Sequence, residues 1–268
     1  MLNFISFGSG SSGNCYYLFT NDESLMIDVG IGIRTLKKHF KEYGLHLSLI
    51  NNILVTHDHA DHVKSVGSFS NDHELPVYTT SKVHLGIQNN YCVRHKIASD
   101  MVRVIEPGKT FTLGSFQVTP FSVPHDSCDN VGYKIVYGDI TFCIITDAGH
   151  VTEEMAQYIS ETNYLVLESN YDEEMLLHGP YPAHLKARIM GGNGHLSNKL
   201  CAEAIAKYAS PALRHVWLCH LSDENNHPDL ACITVKTILS RDYGLIVGKD
   251  FELDYLKRTK PTGVFILQ

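Results

Sequence analysis

A run of histidine and aspartate residues directly after an apolar strand constrains this chain more than any other sequence feature. The predicted strand Asn52-Ile-Leu-Val55 leads into a segment with three histidines and two aspartates within six positions, namely His57, Asp58, His59, Asp61 and His62. Desolvation and charge repulsion make such a group costly to hold together without a cation, whereas a divalent ion accepts lone pairs from imidazole and carboxylate groups. The fold must therefore gather metal ligands at the end of a strand.

The order His-x-His-x-Asp-His in this segment resembles the signature of the metallo-β-lactamase superfamily. In that superfamily the signature is shared between two metal ions. The resemblance implies that His57 and His59 bind the first ion, and that Asp61 and His62 bind the second.

Three further ligands are implied by the same resemblance. Superfamily members place a histidine, an aspartate and a final histidine at the ends of later strands, and the matching positions are His125, Asp147 and His220. His125 would complete the first site, His220 the second, and Asp147 would bridge the ions. Two ions about 3.5 to 4 Å apart can share a hydroxide nucleophile and stabilise both the attacking and the leaving oxygen. Zinc, manganese and iron all suit these ligands.

The pattern of apolar residues predicts an α/β fold. Short strands dominate the first half, an amphipathic helix is expected around 32 to 43, and strands alternate with helices again after residue 160. Among the other elements, a strand is expected near 111 to 122 and a helix near 63 to 70. This mixture predicts two sheets covered by helices. The resemblance implies a single domain over residues 1–268, a four-layer αββα sandwich.

Composition restricts the cellular compartments and the classes of protein that fit this chain. The first residues have no basic segment followed by an apolar stretch of signal-peptide length, and no later stretch has the roughly 18 apolar residues of a membrane span. Seven cysteines without a C-x-x-C pair favour a reducing compartment. A soluble cytoplasmic protein without a membrane partner is therefore expected. A net charge of −7 excludes a general nucleic-acid-binding surface, so any such contact must be local.

A second histidine motif indicates a phosphodiester substrate. The segment Gly194-His195-Leu-Ser197 precedes His220 and resembles an element of the transfer-RNA 3′-processing endonucleases. Those enzymes pair this histidine with a glutamate on the strand after the bridging aspartate, which corresponds to Glu168. The resemblance implies that His195 is hydrogen-bonded to Glu168 and, when protonated, donates a proton to the leaving oxygen or stabilises the developing phosphorane charge. General acid catalysis of this kind is worth about 10² to 10⁴ in rate. A helix-start histidine beside a salt-bridging glutamate is the alternative.

Motifs along nearly the whole chain resemble the YycJ, or WalJ, group of bacterial metallo-hydrolases. Besides the His57 to His62 segment, the shared motifs are Ser6-Phe-Gly-Ser-Gly-Ser-Ser-Gly-Asn14, Glu168-Ser-Asn-Tyr-Asp172, Gly194-His-Leu-Ser-Asn198 and His220-Leu-Ser-Asp-Glu-Asn-Asn226. Members of that group are regarded as DNA exonucleases that act on duplex ends. The resemblance implies a DNA exonuclease linked to repair or to cell-wall stress signalling, with Asp61, Glu168 and His195 as catalytic residues.

A local excess of basic residues surrounds His195. Between residues 181 and 216 there is one acid, Glu203, and five bases, which are Lys186, Arg188, Lys199, Lys207 and Arg214. Lys186 or Arg188 could hold phosphate oxygens beside the metals, the positioning role that contacts to a nucleic-acid backbone usually have. A solvated helix face is the alternative.

The Ser/Gly-rich segment from Gly8 to Asn14 lies between two apolar runs and is predicted to form a hairpin turn. Its backbone N–H groups could also line a pocket, since glycines allow close approach to an anion. The segment lacks the Gly-Lys-Ser/Thr ending of a P-loop and precedes a strand, which argues against nucleotide triphosphate binding.

Other functions remain open at the level of the sequence. A thioesterase or lactonase would use the same metals on a carbonyl, and a small-molecule phosphodiesterase would open a cyclic phosphate. Glu168 and His195 favour a phosphodiester over a carbonyl substrate. A non-catalytic scaffold is disfavoured because no ligand position is missing, and an oxygen-reducing di-iron role because no flavin domain is present. The sequence does not indicate the direction of digestion, the choice between DNA and RNA, or the oligomeric state.

Overall fold

The structure, a computed structural model, describes all 268 residues. Its contacts divide the chain into two compact units. Unit 1 comprises Met1–Pro120, Ser127–Val131 and Lys257–Gln268, and unit 2 comprises Phe121–Asp126 and Gly132–Leu256. The single domain expected over residues 1–268 stays a prediction.

The chain forms fourteen strands and nine α-helices, with two short 3₁₀ helices at Leu47–Leu49 and Ser99–Met101. The strands are β1 (Leu2–Gly8), β2 (Cys15–Phe19), β3 (Ser24–Ile27), β4 (Asn52–Leu54), β5 (Val77–Thr79), β6 (Val102–Val104), β7 (Phe111–Leu113), β8 (Phe116–Ser122), β9 (Val131–Tyr137), β10 (Ile140–Ile145), β11 (Tyr164–Glu168), β12 (His215–Cys219), β13 (Glu252–Tyr255) and β14 (Phe265–Leu267). The helices are α1 (Ile33–Glu42), α2 (Ala60–Val63), α3 (Val66–His73), α4 (Ser81–Asn89), α5 (Glu153–Ser160), α6 (Glu173–His178), α7 (Ala183–Met190), α8 (Asn198–Tyr208) and α9 (Pro228–Tyr243). None of these helices combines the length and apolar composition that a membrane crossing requires.

The strands form two mixed sheets of seven strands each. The first has the order β14-β1-β2-β3-β4-β5-β6, with β3 to β6 parallel to one another. The second has the order β13-β12-β11-β10-β9-β8-β7, with β10 to β13 parallel. Two mixed sheets with helices confirm the predicted α/β class. Parallel neighbours end at the same edge of a sheet, so residues that follow β3 and β4, or β10, β11 and β12, are brought together.

Unit 1 buries an apolar cluster between its sheet and its helices. Helix α1 turns Leu36 and Phe40 inward and exposes its charged face. The Phe40 ring lies 5.0 Å from that of Phe7 and 5.2 Å from that of Tyr17, measured between centroids. The amphipathic helix predicted around 32 to 43 is therefore confirmed, and its apolar stripe fixes it to strands β1 and β2.

Unit 2 has a second apolar cluster, built on its parallel strands. Every residue of β11 is buried, as expected for a strand covered on both faces. Leu165 and Leu167 belong to the same cluster as Ile205 of α8 and Val235 of α9. The two helices thus cover the strands that lead to Glu168 and His220.

Several predicted elements differ from those in the structure. The strand expected near 111 to 122 is a hairpin, because Gly114 adopts a left-handed φ of 58° and Leu113 pairs with Phe116. The helix expected near 63 to 70 is replaced by two helices, α2 and α3, which begin at Ala60 and end at His73. Besides the two 3₁₀ helices, four elements were not predicted, namely α6, α7, β13 and β14. They are short, and β14 exists only through pairing with β1 at the other end of the chain.

Substitution of Leu167 by alanine tests the packing of unit 2. Leu167 is fully buried on β11, so Leu167→Ala should lower the free energy of unfolding by about 2 to 5 kcal/mol. Trp217, the one tryptophan of the chain, lies on the neighbouring strand β12, and its fluorescence reports on this unit during denaturant unfolding. Leu177→Ala, at a half-exposed site of α6, is the matched control and should change stability by less than about 0.5 kcal/mol. Equal losses in both variants would contradict this packing.

Candidate metal centre

In unit 1 the predicted ligands follow strand β4 in a compact turn. His57 and His62 are fully buried, and the centroids of their rings lie 4.1 Å apart. The ring of His59, which precedes helix α2, lies 4.7 Å from that of His57. Asp61 lies in the first turn of α2. The short helix thus gathers the three imidazoles and the carboxylate of the His-x-His-x-Asp-His segment.

Asp28 orients His62, and the sequence interpretation did not identify it. Its fully buried carboxylate accepts hydrogen bonds from the Thr56 N–H at 2.8 Å, the Thr56 hydroxyl at 2.9 Å and the His62 Nδ1–H at 2.7 Å. Because β3 and β4 are parallel, Asp28 after β3 meets the segment after β4. Its backbone has a left-handed φ of 59°, which is uncommon outside glycine and recurs at functional sites. An aspartate directly after an apolar strand was the available signal.

In unit 2 the predicted ligands Asp147 and His220 follow the parallel strands β10 and β12. Each has a left-handed backbone, with φ of 54° and 53°, and His220 Nδ1 lies 3.3 Å from Asp147 Oδ1. His125 Nε2 lies 3.7 Å from the same Asp147 oxygen. Ligand atoms of Asp147, Glu168, His195 and His220 all lie within 4.8 Å of one another. Unit 2 therefore brings together its three predicted ligands and the predicted Glu-His pair.

Glu168 is fully buried at the end of β11 and accepts hydrogen bonds on both carboxylate oxygens. Oε1 accepts the Nδ1–H of His195 at 2.8 Å, so the hydrogen bond expected between these two residues is present. Oε2 accepts the backbone N–H groups of Ala148 at 2.8 Å and Leu196 at 3.1 Å. These bonds join the segments that follow β10 and β11 to the turn before α8.

The Glu168–His195 contact shifts the pKa of both partners. Burial by itself would raise the pKa of Glu168, but the charge of His195 and its hydrogen bond outweigh burial, so the pKa is lowered. Burial would lower the pKa of His195, but the charge and hydrogen bond of Glu168 outweigh it, so the pKa is raised. Both shifts favour a negatively charged Glu168 beside a positively charged His195. The imidazolium of His195 is then a proton donor whose position is fixed by Glu168.

A network of buried amides supports this pair, and the sequence interpretation assigned it no role. The Asn226 amide donates to Ser169 O at 2.9 Å, Asn170 O at 3.0 Å and Asn198 Oδ1 at 2.9 Å. The Asn170 amide donates to His220 O at 2.8 Å. The network ties the segment after β11 to the start of α8 and to the loop after β12. These asparagines lie in the motifs Glu168 to Asp172, Gly194 to Asn198 and His220 to Asn226, so their positions beside predicted site residues were the signal.

The two basic residues predicted to bind substrate make contacts within unit 2. The Lys186 ammonium donates to Leu177 O at 2.7 Å and Gly179 O at 2.8 Å, where it caps the end of α6. Arg188 donates to the Asp126 carboxylate, which raises the pKa of the guanidinium. Both cations thus have protein partners, and their role in phosphate binding stays a prediction.

The donor chemistry in each unit fits a divalent ion. A histidine that binds metal through one nitrogen usually has the other held by an oxygen of the protein. The Nδ1 atoms of four predicted ligands face such oxygens: His57 faces Thr56 Oγ1 at 3.0 Å, His62 faces Asp28 Oδ2 at 2.7 Å, His125 faces Gly194 O at 3.0 Å, and His220 faces Glu168 Oε1 at 3.1 Å. In all four residues Nε2 is the nitrogen that would hold an ion.

Comparisons with known proteins identify relatives over the whole chain. A family model described as the β-lactamase superfamily domain matches residues 24–221. The chain is 33% identical over 263 residues to the exodeoxyribonuclease YycJ of Bacillus anthracis, with 98% of each chain covered. It is 33% identical over 246 residues to the exodeoxyribonuclease WalJ of Streptococcus pneumoniae, with 91% of this chain and 90% of that one covered.

Solved structures show the same fold. The metallo-β-lactamase fold protein YhfI of Bacillus subtilis matches 99% of this chain and 100% of its own at a TM-score of 0.71 and 17% identity. Zn²⁺-bound PqqB of Methylobacterium extorquens matches the same shares at a TM-score of 0.71 and 16% identity. The predicted metallo-β-lactamase fold is therefore confirmed.

Removal of the Asn226 amide tests the network that supports the Glu-His pair. Asn226→Ala takes the Oδ1 acceptor from the Asn198 Nδ2–H and the His227 N–H, and an amide donor from Ser169 O. Each buried polar group that loses its partner costs about 1 to 3 kcal/mol, so the free energy of unfolding should fall by at least about 2 kcal/mol. Denaturant unfolding followed by Trp217 fluorescence measures this loss. Asn193→Ala, at an exposed asparagine of the same unit, is the matched control and should stay near wild type. An Asn226→Ala protein as stable as wild type would show that the network contributes little.

Proposed function

The chain belongs to the metallo-β-lactamase superfamily of hydrolases, and from this premise we propose that it is a metal-dependent phosphodiesterase that degrades DNA as an exonuclease. The observation that carries the proposal is the hydrogen bond of 2.8 Å between His195 Nδ1 and the buried Glu168 carboxylate. Hydrolysis of a phosphodiester expels a poorly stabilised alkoxide, which needs a proton. A carbonyl substrate with a better leaving group, such as a thioester, makes no such demand.

The proposed roles follow from the position of each nitrogen of His195. Nδ1–H is held by Glu168, so Nε2–H is the proton that the ring can give. During hydrolysis the oxygen of a water bonds to phosphorus and its proton is released to solvent, while the bond from phosphorus to the leaving oxygen breaks and Nε2 gives its proton to that oxygen. His195 then regains a proton from solvent. The Glu168 carboxylate stabilises the imidazolium before the transfer and keeps the ring in the productive orientation.

The proposal includes two divalent ions. His57, His59 and His125 are proposed to hold the first, Asp61, His62 and His220 the second, and Asp147 both, with Asp61 also proposed as a catalytic residue. When bound, such ions lower the pKa of water and stabilise negative charge on the phosphate oxygens. Zinc, manganese or iron would each suit the nitrogen and oxygen donors.

The choice of DNA as substrate rests on the relatives. Two proteins that are 33% identical to this chain over nearly its full length bear the name exodeoxyribonuclease. We propose the same activity here, in the cytoplasm and in DNA repair. Seven free cysteines agree with a reducing compartment. Lys186 and Arg188 are proposed to contact the phosphate backbone from α7.

Replacement of His195 distinguishes the phosphodiesterase hypothesis from the hypothesis of a thioesterase or lactonase. His195→Ala should slow the Mn²⁺- or Zn²⁺-dependent shortening of end-labelled duplex DNA by about 10² to 10⁴, the range of general acid catalysis. Parallel assays use single-stranded DNA, RNA, bis-p-nitrophenyl phosphate and a thioester. His178→Ala, which removes an exposed histidine of the same unit, should behave as wild type. Thioester turnover without phosphodiester cleavage, indifferent to His195→Ala, would overturn the proposal.

Metal content tests the proposed ligand set. Wild-type protein restored with Zn²⁺ or Mn²⁺ should retain two equivalents per chain after desalting. His220→Ala should lose one of them and His57→Ala the other, as measured by elemental analysis, while His178→Ala keeps both. If His220→Ala retained both equivalents, the assignment of His220 as a ligand would be wrong.

A further inference from the structure

The Ser/Gly-rich segment between β1 and β2 is closed by the side chain of Asn14. Strands β1 and β2 pair in antiparallel fashion up to Gly8 and Cys15, so the predicted hairpin is confirmed. The fully buried Asn14 side chain returns to the turn, where Oδ1 accepts the Gly10 N–H at 2.8 Å and Nδ2–H donates to Gly10 O at 3.1 Å. An asparagine fits because it has both an acceptor and a donor.

Four backbone N–H groups of this segment donate hydrogen bonds to acceptors within the protein. Gly10 donates to Asn14 Oδ1, Gly13 donates to Gly10 O at 2.9 Å, and Asn14 donates to Asp61 O at 2.7 Å. Ser9 donates to Lys257 O at 3.0 Å. These four N–H groups are therefore used within the protein, and the interpretation of the segment as the lining of an anion pocket stays a prediction for its remaining N–H groups.

Asn14 also contacts two predicted metal ligands through its side chain. Nδ2 lies 2.8 Å from His62 Nε2 and 3.2 Å from Asp61 Oδ2. The orientation of the amide is fixed, because Oδ1 receives the Gly10 N–H and the Tyr16 hydroxyl at 3.2 Å, which directs Nδ2 toward Asp61 and His62. A flipped amide would place an oxygen against the Asp61 carboxylate.

Close backbone contacts hold Asn14 in this place. The Gly30 N–H donates to Asn14 O at 2.8 Å, and a Cβ on Gly30 would lie 1.6 Å from Asp61 O. A Cβ on Gly13 would lie 2.5 Å from Gly30 O. Only glycine fits at either position, so the three segments are packed backbone against backbone and the backbone of Asn14 is held beside that of Asp61.

We propose that Asn14 is a positioning residue that sets the donor atoms of Asp61 and His62, an inference that rests on the proposed function. Asp28 holds the His62 ring at Nδ1, which directs the Nε2 lone pair toward the Asn14 amide. When that lone pair binds an ion, the amide keeps its bonds to Gly10 O and Asp61 Oδ2 and remains beside both ligands. The bond to Oδ2 fixes the carboxylate plane of Asp61. Loss of a group that hydrogen-bonds to a metal ligand typically lowers metal affinity by about 10- to 100-fold.

Metal titration tests this role without relying on activity. Co²⁺ binding is followed by visible absorption and by calorimetry in wild type, Asn14→Ala, Asn14→Asp and Ser11→Ala. Asn14→Ala removes the donor, and Asn14→Asp sets a carboxylate against Asp61. Both should weaken one of the two equivalents by at least about tenfold, change its absorption band and leave the other equivalent unchanged. Ser11→Ala, at the exposed tip of the same turn, should match wild type.

A milder variant keeps the test informative if the Asn14 variants do not fold. Tyr16→Phe removes the hydroxyl that helps to orient the Asn14 amide but leaves Oδ1 and Nδ2 of that amide in place. It should weaken the binding of the same metal equivalent by a smaller factor. Unchanged affinity and absorption in either a folded Asn14→Ala or Tyr16→Phe would overturn the positioning role.

The metal titration and the DNA-shortening assay together distinguish this inference from the proposed function. Wild type that binds two equivalents but does not shorten DNA would overturn the exonuclease alone. Wild type that binds two equivalents and shortens DNA, with Asn14→Ala binding both as tightly, would overturn the positioning role alone. Fewer than two equivalents in wild type would overturn both.

Discussion

A carboxylate buried without partners destabilises a protein by several kcal/mol, and the structure of unit 2 depends on how Glu168 meets this requirement. Two backbone N–H groups and two imidazoles reach its oxygens, from segments that follow different strands and precede α8. These hydrogen bonds hold each segment against Glu168. Because the buried carboxylate is stable only with these partners, it fixes the positions of His195 and His220.

Unit 1 uses the same physical arrangement with another carboxylate. Asp28 follows a parallel strand, is fully buried, and accepts hydrogen bonds from Thr56 and from the Nδ1–H of His62. In both units a carboxylate at the end of a parallel strand orients an imidazole. The left-handed backbones of Asp28, Asp147 and His220 occur at these strand ends, where conformational strain is offset by the hydrogen bonds that follow.

Amide side chains have a supporting role in both units, because an amide offers a donor and an acceptor without adding charge. Asn226 joins three segments of unit 2, and Asn14 closes a turn of unit 1 while contacting Asp61 and His62. A cation in either place would compete with the proposed ions, and a carboxylate would repel the neighbouring Asp61 or Glu168. This reasoning accounts for asparagine at these positions, where lysine or aspartate would alter the charge of the site.

The pattern of residues along the chain was enough to predict the α/β class, the turn of ligands after β4, and, through the resemblance, the candidates His125, Asp147, His220, Glu168 and His195. These could be predicted because strand-end histidines and carboxylates stand out locally, and because their order matches a known signature. Tertiary structure alone revealed the contacts of Asp28, Asn14 and Asn226, the hairpin at Gly114, and the contacts of Lys186 within unit 2. Each depends on strand register or on hydrogen bonds between residues far apart in the chain. A local pattern of polar and apolar residues carries no information about such partners, because they meet only after the strands have paired.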